Sequence, residues 1–157
     1  MIGHMKKAIQ AGTMMILLAC ITTWMLTGCE SQSGGSSSIS PFKGEPMIVD
    51  SALSLDVVDN RPNGITDTFR SDDERIYLWI YWINVEGNHN VRVEWFSPEQ
   101  GTGEPPYYKS TEYFTSSGEQ ITWFYLEKPA GGFARGEWEV YVYLDNSFER
   151  SYLFYVE

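Results

Sequence analysis

The chain is poor in the two residue types on which most hydrolytic and metal-dependent enzymes rely. Its 157 residues include two histidines and two cysteines. Cys20 and Cys29 lie in or beside an apolar N-terminal segment, and past that segment His89 is the only histidine. A hydrolytic triad needs a histidine beside a nucleophile, and a tetrahedral zinc site needs several His or Cys ligands. We therefore predict no enzyme activity, no zinc site and no cofactor.

The motifs that carry catalysis or nucleotide binding are also missing. The sequence has no GxSxG, HExxH, P-loop or dinucleotide fingerprint. His89 stands in a Gly-Asn-His-Asn segment, which we interpret as a solvated turn between two strands. No residue is assigned a catalytic role.

Positive charge is scarce as well. Lysine and arginine total 11 against 21 aspartates and glutamates, a formal net charge of -10. Such a surface repels phosphates and anionic lipid head groups. We therefore expect no nucleic-acid partner, and membrane attachment has to come from another source.

The N-terminal segment supplies that source. Two lysines at positions 6 and 7 precede an apolar run over 8–26, as in an export signal. The segment closes with Leu26-Thr27-Gly28-Cys29. This pattern resembles the cleavage site of bacterial lipoproteins, in which the cysteine sulfur is lipidated, the chain is cut before it, and the new amino terminus is acylated. The resemblance implies a signal peptide over 1–28 and a palmitate-bearing Cys29 that anchors the protein to a membrane.

Alternatives for this segment stay open. The run over 8–26 approaches the length of a bilayer span, so an uncleaved anchor or an ordinary cleaved signal would also fit. Translation could begin at Met1 or at Met5. Each alternative leaves the rest of the chain extracytoplasmic. Glu30 follows Cys29, whereas in enteric bacteria an aspartate there retains lipoproteins in the inner membrane. If the cell has an outer membrane, we expect the protein on it, at its periplasmic or surface face.

The composition after Cys29 predicts a tether and one domain. Residues 30–40 read ESQSGGSSSIS, which cannot bury enough apolar area to fold. We assign 29–41 to a lipidated cysteine with a flexible tether, and 42–157 to a single folded domain.

Within that domain the hydrophobic period is two, and no segment keeps a helical period. Strands are expected at 47–58, 75–84, 90–96, 107–114, 120–126, 137–144 and 149–156. About seven strands without intervening helices predict an all-β, antiparallel β-sandwich.

The end of the chain carries a family resemblance. Residues 136–157, GEWEVYVYLDNSFERSYLFYVE, are similar to the closing hairpin of bacterial immunoglobulin-like domains. Thr68-Phe69, the strand at 75–84 and Val93-Glu94-Trp95 resemble earlier strands of the same domains. The resemblance implies an immunoglobulin-like sandwich, a fold that exported proteins use in binding, spacer and assembly modules and that does not by itself define a function.

Aromatic residues are abundant, and the strand period places some of them on the side opposite the core. An outward aromatic patch usually has a function. The candidate binding surface consists of Tyr77, Trp79, Tyr81, Tyr141, Tyr143 and Tyr155. Three interpretations compete: cross-strand pairs that stiffen a solvent-facing sheet, a docking surface for a protein, or a platform for sugar rings.

Calcium is the one metal for which the sequence offers ligands. Asp56, Asp59 and Asp67 flank the segment after the first strand and carry the oxygen atoms that Ca²⁺ prefers. Their spacing does not match an EF-hand loop, so solvated turn charges are the competing interpretation.

These observations favour a non-catalytic, membrane-anchored envelope lipoprotein whose domain binds a protein partner or serves as an assembly module. The alternative is a carbohydrate-binding module that recognises an envelope or extracellular polysaccharide through exposed aromatic rings.

Overall fold

The computed structural model describes residues 44–100 and 103–157. The predicted signal peptide, the lipidation site Cys29 and the tether lie outside the described residues. Within the described part of the chain there is no helix long and apolar enough to cross a membrane.

Seven strands make up the described fold, and no helix occurs between them, which confirms the all-β class. The strands are β1 (Met47–Val58), β2 (Arg61–Ile65), β3 (Thr68–Phe69), β4 (Arg75–Phe96), β5 (Tyr108–Glu127), β6 (Gly136–Leu144) and β7 (Ser147–Val156).

The two central strands are longer than the sequence pattern predicted. The segments expected at 75–84 and 90–96 are one strand, β4, and those expected at 107–114 and 120–126 are one strand, β5. The predicted turn around His89 is therefore wrong. A β-bulge at Asn84, which has φ 61°, explains why the apolar alternation changes phase within β4. Core residues are even-numbered before the bulge and odd-numbered after it, because one extra residue returns the apolar side chains to the same face.

All seven strands belong to one hydrogen-bonded sheet, curled into a half-barrel. The first half of β4 pairs with β1 and the second half with β6, while β5 pairs with β4 along both halves. The predicted division into the two separate sheets of a sandwich is thus not confirmed. Every pairing is antiparallel except that of β3 with β7.

Two-residue turns connect the outer hairpins. Asp59-Asn60 joins β1 to β2, and Asp145-Asn146 joins β6 to β7; all four residues have positive φ. This is the type I′ geometry, whose twist matches that of the flanking strands. Asp145-Asn146 falls between the strands predicted at 137–144 and 149–156, and Ser147 already belongs to β7. The strand pattern did not include the short edge strand β2, in which Pro62 is tolerated.

The core lies on the inner face of the curled sheet. Its largest fully buried side chains belong to Trp82, Trp95 and Trp138. The Trp138 and Phe154 rings stack with centroids 5.8 Å apart, and the Phe69 ring meets Phe154 edge-on at 5.4 Å. Aromatic packing of this kind stabilises the fold without a disulfide.

Candidate binding surfaces

The outer face of β6 and β7 carries a continuous group of apolar side chains, which we call the β6–β7 face. Its most exposed members are Phe148, Leu153 and Tyr155, at 58%, 55% and 52%. The sequence pattern placed Tyr141, Tyr143 and Tyr155 on this surface, and all three lie on the same outer face, with Tyr155 opposite Glu137 toward the end of the hairpin. The structure adds Phe96 from β4, whose neighbour across the sheet is Glu139.

Ring contacts hold the β6–β7 face together. The Tyr141 ring lies 5.0 Å from that of Phe96 and 5.9 Å from that of Phe148. Tyr143 meets Phe148 at 5.8 Å, and its other side is covered by the Arg92 guanidinium, 3.9 Å from the ring centre. Tyr141 and Tyr143 are therefore half-buried supports, whereas Phe148 projects into solvent.

Two carboxylates lie within this face, and Glu139 stands between Phe96 and Leu153. Glu137 is opposite Tyr155, and Glu139 is opposite Leu153. A hydrogen bond to Glu139 raises the pKa of Tyr141, because the neutral phenol donates to the carboxylate. A cleft of about 460 Å³ is lined by Glu139, Tyr141 and Leu153 among others, and none of its lining residues is a lysine or arginine. Glu137 and Glu139 therefore give this cleft negative charge beside its apolar lining.

A second aromatic group occupies the outer face of β4 and β5, which we call the β4–β5 face. Tyr77, Trp79 and Tyr81 lie there as the period predicted, yet Tyr77 and Trp79 are only 8% and 7% exposed. Trp79 donates a hydrogen bond of 2.8 Å from Nε1 to the Asn60 carbonyl in the β1–β2 turn. Tyr81 donates to Glu119 at 2.8 Å, which raises the pKa of Tyr81.

Two exposed rings of the β4–β5 face, those of Trp123 and Tyr125, were not among the predicted surface residues. Trp123 and Tyr125 of β5 are 41% and 36% exposed, and their rings are stacked at 6.3 Å and 28°. Arg75 lies 4.9 Å above the Tyr125 ring and forms an ion pair with Glu127. The alternation in QITWFYLE could have identified both rings, because Phe124 and Leu126 are buried and the residues before them, Trp123 and Tyr125, point to the opposite face.

His89 lies within β4 and is tied to the β6–β7 turn. Its Nδ1 is 2.7 Å from Asp145 Oδ2, and its Nε2 is 3.3 Å from the Glu86 carbonyl oxygen. Burial raises the pKa of Asp145, but hydrogen bonds from His89 and the Asn90 backbone outweigh it and hold that pKa below its usual value. Both ring nitrogens therefore lie within hydrogen-bond distance of an oxygen, and the His89–Asp145 contact ties β4 to the β6–β7 turn.

The calcium candidates are dispersed. The Asp56 carboxylate accepts a hydrogen bond from the Val57 amide, Asp67 accepts one from the Thr68 hydroxyl, and Asp59 forms the turn after β1. In residues 44–100 and 103–157, no three His, Cys, Asp or Glu side chains form a group that could hold a metal ion.

Comparison with known proteins places the fold. No protein-family model matches this sequence, and no curated protein sequence matches it. Among solved structures, an immunoglobulin-like protein from Pseudomonas aeruginosa matches with a TM-score of 0.54 and 14% identity, over 74% of this chain and 100% of the other. The alkylpurine DNA glycosylase AlkC from Pseudomonas fluorescens matches at 0.50 and 12%, over 72% of this chain. This chain spans 30% of the glycosylase's length.

The fold is therefore similar to that of an immunoglobulin-like protein, as the closing hairpin implied. At these identities the similarity concerns the fold alone, so the function has to be argued from the surfaces.

Proposed function

We propose that this protein is a non-catalytic binding module, held on the extracytoplasmic side of a bacterial membrane by lipid on Cys29, and that it binds an envelope protein through the β6–β7 face. The two halves of its curled sheet would act as the layers of an immunoglobulin-like sandwich. The observation that carries the proposal is that Phe148, Leu153 and Tyr155, each more than half exposed, lie on the same outer face of β7.

The composition of this face supports a protein partner. Protein interfaces combine an apolar, aromatic centre with a polar rim. Here Phe96, Tyr141 and Leu153 lie around Glu139, and Glu137 lies beside Tyr155 at the end of the hairpin. The ring contacts that fix Tyr141 reduce the conformational entropy lost on binding, since the ring is already ordered.

Site-specific photo-crosslinking in living cells tests this proposal. A photoreactive residue replaces Leu153 in the full chain, and Leu55, which is 45% exposed on β1, serves as the matched control. We expect one discrete crosslinked protein from position 153 and none from position 55, and loss of the product when Phe148→Ser is added. Products of equal yield from both positions, or none from position 153, would refute the proposal.

The β4–β5 face supports a second candidate function. Exposed, nearly parallel rings such as Trp123 and Tyr125 provide a flat apolar platform, and Arg75 and Glu127 at its border offer hydrogen-bonding groups for sugar hydroxyls. This arrangement favours polysaccharide binding. Retardation of the protein in gels that contain soluble polysaccharide, or its co-sedimentation with peptidoglycan, should be lost with Trp123→Ala and kept with Phe148→Ala. Equal loss in both variants, or no retardation of the wild type, would exclude this second function.

A further inference from the structure

The strand β5 has a long edge beside which the structure describes no other strand. It pairs with β4 from Tyr108 to Glu127, and β4 is its only partner among the strands of residues 44–100 and 103–157. The backbone groups along such an edge can form hydrogen bonds with another strand.

Proteins usually block a long edge with prolines, bulges or charged side chains, and the charged residues of β5 are Lys109, Glu112, Glu119 and Glu127. It contains no proline, and its one lysine is Lys109, near its beginning. The bulge in the β4–β5 hairpin puts its extra residue, Asn84, in β4, so β5 runs regularly up to Ser116. There the Ser116 hydroxyl bonds to the Gly118 amide and the Glu119 carbonyl. These are local bonds that an incoming strand could replace.

The sequence of β5 is complementary to itself in an antiparallel register centred on Phe114. If two copies meet about a two-fold axis at Phe114, Lys109 of each copy lies opposite Glu119 of the other. On the same face Thr111 is then opposite Ser117. Opposite charges and hydroxyl pairs at such positions stabilise antiparallel strands.

The other face of the same register also fits. Phe114 meets Phe114 of the second copy at the axis, and Glu112 meets Ser116. Axes at 112, 113, 115 or 116 all lose the pair between Lys109 and Glu119, and an axis at 112 places the two Glu112 carboxylates opposite each other. Tyr113, the most exposed large apolar side chain described at 79%, would be covered by Thr115 of the second copy.

We propose that the protein forms a two-fold dimer in which β5 pairs with β5 of a second copy, centred on Phe114. The dimer extends the sheet across both subunits and leaves the β6–β7 face free. The binding proposal and the dimer therefore stand independently.

Cysteine crosslinking in membranes tests the register. In the full chain with Cys20→Ser, Phe114→Cys places two thiols directly across the axis, about 5 Å apart at Cβ and within reach of a disulfide after small shifts. Glu112→Cys and Ser116→Cys are matched controls, because each is about 13 Å from its own counterpart. We expect at least fivefold more disulfide-linked dimer at 114 than with either control, and a linked dimer again when the 112 and 116 variants are co-expressed.

A charge exchange tests the pairing without cysteines. Lys109→Glu creates two repulsive pairs and should weaken the dimer about tenfold in sedimentation equilibrium of the detergent-solubilised full chain. Adding Glu119→Lys should restore it. Both positions are exposed, so the fold should survive, which near-ultraviolet circular dichroism checks. A monomeric wild type, equal crosslinking at 112, 114 and 116, or failure of the exchange to restore the dimer would overturn the proposal.

Discussion

Deletion of Asn84 should unfold the domain, because this one residue keeps the long strand β4 in phase with the core. Without it, the residues that follow would be rotated to the opposite face of the sheet. Val85, Val91, Val93 and Trp95, each 0% exposed, would then turn outward. Burial of a large apolar side chain stabilises by roughly 1.5–3 kcal/mol, so four of them amount to about 6–12 kcal/mol. That sum is comparable with the whole stability of a typical domain, about 5–15 kcal/mol.

Two point variants separate the bulge from the side chain. Glycine adopts a φ of 61° without strain, so Asn84→Gly loses the 3.2 Å hydrogen bond to the Glu45 carbonyl. The free energy of unfolding should therefore fall by about 1 kcal/mol or less. Asn84→Val puts a β-branched residue at that φ, so its free energy of unfolding should be about 1–2 kcal/mol lower than that of the glycine variant. Urea unfolding, followed by tryptophan fluorescence, measures the free energy of unfolding of the deletion, glycine and valine variants. A deletion variant as stable as the wild type would show that Asn84 does not keep β4 in phase with the core. Equal stability of the valine and glycine variants would show that the positive φ of residue 84 is not important.

Three further predictions concern single side chains. Trp79→Ala should cost about 3–5 kcal/mol in urea unfolding because the ring is buried, whereas Trp123→Ala should cost about 1 kcal/mol or less; equal losses would contradict the assigned exposures. The lowered pKa of Asp145 contributes stability that is present above its ordinary pKa of 3.8 and is lost as the pH falls through the lower folded value. Asp145→Asn should therefore be less stable than wild type at pH 7, and this difference should shrink as the pH falls below 3.8; a difference that stays constant with pH would count against the linkage. Cys29→Ser should abolish incorporation of radiolabelled palmitate, and label that persists would exclude lipidation at this residue.

The strand period alone predicted much of the fold. The alternation of apolar and polar residues predicted the bounds of β1, β6 and β7 to within a residue or two. The continuity of β4 could not be predicted from local signals, because Gly87 and the neighbouring asparagines are typical turn residues. The change from even to odd core positions across Asn84 was the available evidence for a bulge instead of a turn.

The outward side chains were predicted in direction but not in exposure. Alternation states which face a residue occupies, whereas exposure depends on what neighbouring strands and turns place above it. Trp79 is covered because the β1–β2 turn brings the Asn60 carbonyl to its indole nitrogen. Phe148 could not be assigned to the β6–β7 face from its spacing, because a register shift between Val142 and Tyr143 changes the pairing of the hairpin.

Oxidative footprinting in cells tests the central claim, that the β6–β7 face binds a partner in the envelope. Hydroxyl-radical labelling would be compared between the full chain in its native membrane and the same chain purified in detergent. The account predicts that Phe148, Leu153 and Tyr155 are protected in the cell, while Leu55 and Ile65, exposed on β1 and β2, are labelled equally in both states. Equal labelling of the β6–β7 face in cells and in purified protein would show that no partner covers this face in the envelope.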